Sequence, residues 1–247
     1  MSGESYTPGH TENATAFMAG RTFVSHGQFF APYLEPGLSV LDCGCGPGTI
    51  TSGIAERVAP GQVTGIDFGE SQIEIAQQSA TANVSYQTDS CYELSFTDAS
   101  FDRVFSHALL EHLNEPEKAF TEFHRVLKPG GIAGICCPDW GGFIFAPESD
   151  ELTAAVKTYR DLQTANGGDV EAGRKLGEHM IAAGFQRVQL DACAAASLRL
   201  VRPARSSSPS SWASACAAAS SMEVYFPSST QFSSASNCSA IPFVRFA

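Results

Sequence analysis

The residues that could do chemistry in this chain stand at the ends of apolar runs. Leu38-Ser-Val-Leu-Asp-Cys-Gly-Cys-Gly-Pro-Gly48 opens as a buried strand, meets an acid at Asp42 and breaks into Gly44, Gly46 and Gly48. Glycine has no Cβ to hold a ligand at a distance, so this strand, loop and following helix form a turn whose backbone can close on a nucleotide-like molecule. A second run, Val63 to Asp67, also ends in an acid. Val84 to Gln87 is closed by Thr88-Asp89-Ser90, and Phe101 to Ser106 leads into His107. Ligands of open α/β sheets sit beyond the carboxyl ends of the strands, and Asp42, Asp67, Asp89 and Ser106–His107 would meet there.

The elements needed to hold those ends can be traced in order. Phe23, Val24, Phe29, Phe30, Tyr33 and Leu34 predict a helix over Thr22 to Leu34, covering the start of the domain. After the glycine loop, Ile50, Ile54 and Val58 recur at helical spacing, and Pro60-Gly61 stops that helix. Ser71-Gln-Ile-Glu74 has the pattern of a capping box opening a second helix to about Ala80. Pro116 suits a first helical turn, ahead of a buried face of Ala119, Phe120, Phe123 and Leu127. Lys128-Pro-Gly-Gly131 predicts a turn, then a fifth strand from Ile132 to Cys137. Leu152, Val156 and Tyr159 predict a helix over the site, and Leu176, Met180 and Ile181 another; Val188 to Leu190 is expected as a sixth strand. Strands alternating with helices imply an α/β, doubly wound, mostly parallel sheet.

Composition narrows the class. A formal net charge of −11 argues against nucleic acid or an anionic membrane surface as partner, since both call for basic patches. No apolar run is long enough to span a bilayer, and the polar start, Met1 to Gly20, lacks a signal peptide's basic and apolar regions. A cytoplasmic enzyme is expected. The eight cysteines contain no Cys-x-x-Cys pair and no zinc spacing, so they are read as reduced, mostly buried thiols and no metal is expected. Three regions follow: a flexible arm over 1–20, the domain over 21–193, and a Ser/Ala-rich tail over 194–247, in which Glu223 is the only acid after residue 200. Such a tail fits either a genuine disordered segment or an end written in a shifted reading frame. Val224-Tyr-Phe226 is its best strand candidate.

Val40-Leu-Asp-Cys-Gly-Cys-Gly-Pro-Gly48, Asp67 at a strand end, Phe101-Asp102 opening a strand and Leu127-Lys-Pro-Gly-Gly131 before another resemble the class I S-adenosylmethionine-dependent methyltransferases. The nearest subgroup is type 11, similar to the ubiquinone and menaquinone biosynthesis enzymes. The resemblance covers about Pro36 to Leu190. It implies a Rossmann-like fold, S-adenosylmethionine as cofactor and a small-molecule methyl acceptor. It also implies that Asp42 lies by the cofactor's ammonium, and that Gly44, Cys45, Gly46 and Gly48 let backbone approach its methionine and ribose. Asp67 would accept from both ribose hydroxyls. Phe68 would pack on adenine, Asp89 and Ser90 would meet the adenine edge, and Ser106 and His107 would line the methionine end. For Asp89 an Asx-turn is a nearly equal alternative.

Methyl transfer needs alignment and exclusion of water, and a base only where the acceptor must lose a proton. His112, in His107-Ala-Leu-Leu-Glu-His112, is the nearest candidate base, with packing or cofactor contact as the favoured alternative. His26 and His179 are expected to pack or lie on the surface. Arg21 could meet the cofactor carboxylate or be an ordinary surface arginine. Trp140, Phe143 and Phe145 point to an apolar acceptor, or to a lid that packs on itself. A nicotinamide oxidoreductase is the competing reading, although Gly44-x-Gly46-x-Gly48 places its third glycine one residue early for a dinucleotide fingerprint. A cofactor-binding relative with impaired catalysis is the third.

Overall fold

A computed structural model describes residues 5–9, 11–143 and 149–192, and the backbone of 243–245. Phe145, the Val224–Phe226 candidate and the rest of the 194–247 tail apart from 243–245 lie outside the described residues. Strands β1 (Val40–Cys43), β2 (Val63–Asp67), β3 (Val84–Thr88), β4 (Phe101–His107) and β5 (Leu127–Cys136) form a parallel sheet. Its order is β3-β2-β1-β4-β5, extended antiparallel at β5 by β6 (Phe243–Arg245). All four residues of β1 are buried, as expected of a central parallel strand covered on both faces.

Helices α2 (Thr49–Val58), α3 (Glu70–Gln78), α4 (Pro116–Val126), α5 (Asp150–Ala165) and α6 (Ala172–Ala182) flank the sheet. In α4, Ala119, Phe120, Phe123 and Val126 repeat at helical spacing and are all buried. They pack with Leu176 and Met180 of α6 against Leu41, Val104 and Ile135. On the opposite face, Ile54 and Val58 of α2 join Phe23, Phe29 and Phe30 against Val40, Val63 and Phe105. Each fully buried phenylalanine contributes on the order of 2–3 kcal/mol of hydrophobic stabilisation.

Several expectations are corrected. Residues 12–19, within the presumed loose arm, form a helix, α1 (Glu12–Ala19), capped by the Thr11 hydroxyl. Thr22 to Leu34 is helical but not α: a π turn, Phe23–Gly27, runs into a 3-10 helix, Gln28–Tyr33, that contains Pro32. The capping box forms at Thr22 and Ser25 rather than at Ser71. Helix α3 begins at Glu70 with Gly69 as N-cap, because Asp67 Oδ1 accepts from the Gly69 amide at 2.8 Å and turns the chain early. Ile181 is 65% exposed, so the buried stripe of α6 runs through Leu176, Gly177 and Met180 instead. Val188 to Leu190 is not a strand: it holds one bridge residue, Gln189, and follows Arg187 at φ 56°, which breaks an extended run.

Lys128-Pro-Gly-Gly131 lies within β5 as a bulge rather than ahead of it. Phe101 pairs with Leu127 and Arg103 with Ile132, so the intervening residues have no ladder partners in register. Asp102 at this end accepts from Ser39 N (2.9 Å), Ser39 Oγ (2.6 Å) and Lys128 Nζ (3.0 Å), tying β4 and β5 to the residue before β1. Among the described residues no helix is long and apolar enough to cross a membrane.

Candidate functional site

The strand order reverses between β1 and β4, and the residues of interest collect at the carboxyl ends on either side of that reversal. Beyond β1 the chain enters the loop with φ of 77° at Gly44, 52° at Gly46 and 80° at Gly48, a region that favours glycine. Gly44 N and Cys45 N donate to Ile66 O at 2.8 and 2.9 Å, fastening the loop to β2. Gly46 N donates to Asp67 Oδ2 at 2.9 Å. The three glycines do different work. A Cβ on Gly44 would meet Leu109 at 3.1 Å, and one on Gly48 the Tyr86 hydroxyl at 2.5 Å. At Gly46 the nearest atom would be Met18 Sδ at 3.7 Å. A Cβ at Gly46 would therefore make only ordinary contact, whereas Gly44 and Gly48 allow close internal packing.

Asp42 is 2% exposed, and its Oδ2 accepts from Thr51 Oγ1 at 2.6 Å. Burial pushes its pKa up to about 7, against the pull of the Thr51 bond, and Asp67 adds to the rise. Asp67 is half-buried, with Gly46 N on one oxygen and Gly69 N on the other. Phe68 beside it is 83% exposed. Cys45 points down, packed with Ile73, Ala76 and Tyr86, and burial holds its thiol well above its usual pKa, so only its backbone faces the loop.

Asp89 is bonded within its own loop. Its Oδ1 accepts from Ser90 N (2.8 Å) and its Oδ2 from Ser95 N (3.1 Å) and Ser95 Oγ (2.7 Å), closing the loop after β3. Ser90 Oγ accepts from Tyr92 N at 3.3 Å in the same loop. Across the reversal, Ser106 is 1% exposed. Its Oγ and the Nδ1 of His107 are buried, with no hydrogen-bond partner among the described residues. Burial, then Arg21 and His26, push the His107 pKa down to about 3, so its imidazole is neutral.

Sequence reasoning missed part of this cluster. His26 meets His107 edge-on at 5.1 Å between ring centroids. Tyr6, from the arm, meets His112 at 4.6 Å. Burial raises the Tyr6 pKa to about 12. Glu111 is 3% exposed beside His112. An acid between Leu110 and His112 in an apolar run was the available signal for Glu111; nothing in spacing announced Tyr6 or His26. Arg21 has its guanidinium 4.8 Å from the centre of the Phe17 ring. His179 packs, stacked on Phe120 at 5.8 Å and 3.2 Å from Glu117 Oε1. Trp140 stacks on Phe143 at 5.3 Å and tilts against Tyr159 at 4.6 Å.

Comparison with known proteins gives this geometry a family. Residues 41–135 match the family described as "Methyltransferase domain". An uncharacterized methyltransferase of Schizosaccharomyces pombe is 34% identical over 148 residues, 56% of this chain and 49% of that protein. A demethylmenaquinone methyltransferase of Staphylococcus aureus is 38% identical over 106 residues, 42% of this chain and 44% of that protein. The chain thus spans about half the length of the curated relatives it matches. Among solved structures, phosphoethanolamine N-methyltransferase 2 of Haemonchus contortus, in complex with phosphomonomethylethanolamine and S-adenosylhomocysteine, superposes with a TM-score of 0.59 at 24% identity. The match covers 74% of this chain and 44% of that one, and is a likeness of fold. The nicotinamide alternative finds no support in these matches. Residues 41–135 are thus similar to a methyltransferase domain, and the Rossmann-like sheet has the fold of the solved methyltransferase structures it superposes on.

Proposed function

We propose that this protein is an S-adenosylmethionine-dependent methyltransferase acting on a small-molecule acceptor, with residues 21–193 as the working domain. The observation that carries the reading is the join of Asp67 to the glycine loop. Its carboxylate accepts from Gly46 N at 2.9 Å, at the point where the loop crosses the end of β2. The cofactor has an ammonium, a ribose diol and an adenine, and no phosphate. The residues present fit those groups. Asp67 offers two carboxylate oxygens, the acceptor chemistry a diol calls for. Phe68 offers an exposed ring to the base. Asp42 lies under the loop as the partner for the ammonium, and Gly44, Cys45 and Gly48 supply its backbone frame. Ser106 Oγ and His107 Nδ1 are buried polar atoms in need of a partner at the methionine end. Asp89 and Ser90 hold the loop beside the base.

When bound, the cofactor supplies an activated methyl group on a sulfonium. The chain's own task is to align the acceptor with that group and keep water out. The names of the relatives span demethylmenaquinone and phosphomonomethylethanolamine, so the acceptor has to be argued from this chain.

Calorimetry with S-adenosylhomocysteine and with NADH tests the reading. S-adenosylhomocysteine binds, and Asp67→Asn weakens it by about 10- to 100-fold, the worth of one charge-assisted hydrogen bond. Binding of NADH alone would sink the proposal.

A further inference from the structure

Two thiols at the strand ends take no part in the cofactor reading. Cys43 closes β1, one residue before Gly44, and Cys91 stands two residues after Asp89 in the loop that follows β3. Both are free thiols. Cys43 is 1% exposed, in the core with Leu41, Ile66 and Leu94, and Cys91 is half-buried and packed against that same core. The two side chains are in hydrogen-bond contact. Burial, with that contact next, holds the Cys43 thiol well above its usual pKa. The other described thiols are directed elsewhere. Cys45 packs with Ile73, Ala76 and Tyr86, Cys136 packs against the core of Val40 and Phe105, and Cys137 donates to Glu111 Oε2 at 2.9 Å.

The pair joins two parts of unequal freedom. Cys43 belongs to a central strand paired on both sides, with β2 and with β4. Cys91 belongs to a loop held by its own short bonds, from Ser90 N and Ser95 to Asp89, from Tyr92 N to Ser90 Oγ, and by a bridge between Ser90 and Glu93. A disulfide holds its sulfurs about 2 Å apart, closer than two thiols in contact. Closing one here would move the loop rather than the strand, and Asp89 and Ser90 would move with it.

We propose that Cys43 and Cys91 are an oxidation site that hydrogen peroxide closes into a reversible disulfide, and that this bond weakens cofactor binding by drawing the Asp89–Ser90 loop toward the end of β1. The weakening rests on the methyltransferase reading above; the bond itself does not. Cys91 reacts first because it is the accessible member. Its sulfur attacks one peroxide oxygen, the oxygen–oxygen bond breaks, and the departing hydroxide leaves as water with the thiol proton. The Cys43 sulfur then attacks Cys91 Sγ. The sulfur–oxygen bond breaks, and its hydroxide leaves as water with the Cys43 proton. Two thiols and one hydrogen peroxide give one disulfide and two waters, with two electrons passing from sulfur to oxygen. The first step needs exposure, which Cys43 lacks; the second needs only contact, which the fold supplies.

The full chain, reduced and then treated with hydrogen peroxide in native buffer, provides the test. Peptide mapping without reductant finds Cys43 joined to Cys91. Calorimetry finds S-adenosylhomocysteine bound about tenfold more weakly than by the reduced protein, an ordinary size for coupling between two sites, and dithiothreitol restores the affinity. Cys91→Ser binds like the reduced wild type before and after peroxide, which separates the bond from oxidation elsewhere. Coupling is reciprocal, so saturating S-adenosylhomocysteine raises the reduction potential of the pair by about 30 mV, the two-electron equivalent of tenfold. Absence of the Cys43–Cys91 peptide, or Cys91 joined to another cysteine, overturns the proposal. So does the bond with unchanged affinity. Reduced protein that binds no S-adenosylhomocysteine defeats the methyltransferase reading and the switch with it, while reduced protein that binds and oxidises without forming the bond defeats this proposal alone.

Discussion

Asp42 and Asp67 end neighbouring strands, yet the fold treats them in opposite ways. Asp67 is half-buried and met by two amides, whereas Asp42 is sealed against Thr51 with a pKa pushed up to about 7 by burial. A cofactor ammonium would bind the ionised form. Affinity for S-adenosylhomocysteine therefore weakens as pH falls below about 7, by up to tenfold per pH unit, and levels off above it. Calorimetry in buffers of different ionisation enthalpy would find close to one proton released per ligand at pH 6; no proton release contradicts it. The sign for stability runs the other way. A carboxyl raised above its unfolded value favours the fold below that value, and the contribution fades as pH rises through about 7. Strand-end acids and alternating glycines were visible in the sequence because local backbone geometry demands them. Glu111, Tyr6 and His26 were not, because Tyr6 and His112 are joined only by the finished fold.

At the scale of elements, the least promising stretch by composition turns out to contact separate elements of the domain. Helix α1 buries no residue, so no apolar period marked it. Its order comes from single contacts to separate elements. Gln72 of α3 donates to Thr15 Oγ1 at 3.1 Å, Asn166 at the end of α5 donates to Thr7 Oγ1 at 3.1 Å, and the Tyr6 hydroxyl meets Met18 Sδ at 3.4 Å. Deleting residues 1–20 removes this strap. The expected result is release of S-adenosylhomocysteine faster by about tenfold, roughly 1.4 kcal/mol, measured by stopped-flow displacement. The unfolding midpoint of the ligand-free protein moves little, since so little apolar surface is lost; an unchanged release rate would show that the arm does not hold the ligand. Helices with a clear apolar stripe, such as α4, were legible from spacing. The start of α3 was not, because a side chain outside the helix, Asp67, decides it.

Over the whole molecule the sheet has two ends with different duties. The clamp of Ser39, Asp102 and Lys128 fastens three strands at the amino end of β4, and His107 marks the other end of that strand. Partial burial pushes the Asp102 pKa up, but the bonds from Ser39 and Lys128 outweigh it and hold the carboxyl below its usual range. Its stabilisation is thus present above the usual carboxylate pKa and lost as pH falls below it. Asp102→Ala lowers stability by about 2 kcal/mol, mostly through the Ser39 donors left without their acceptor and less through the solvent-screened lysine. Urea unfolding measures that loss, and S-adenosylhomocysteine affinity stays unchanged; a matching fall in affinity would show the two ends to be coupled. The seven residues of β4 separate clamp from site by roughly 20 Å. Robustness and chemistry are therefore separate traits in this fold. Selection for heat tolerance can act on the bulged end of β5 without meeting the usual trade-off between stability and activity.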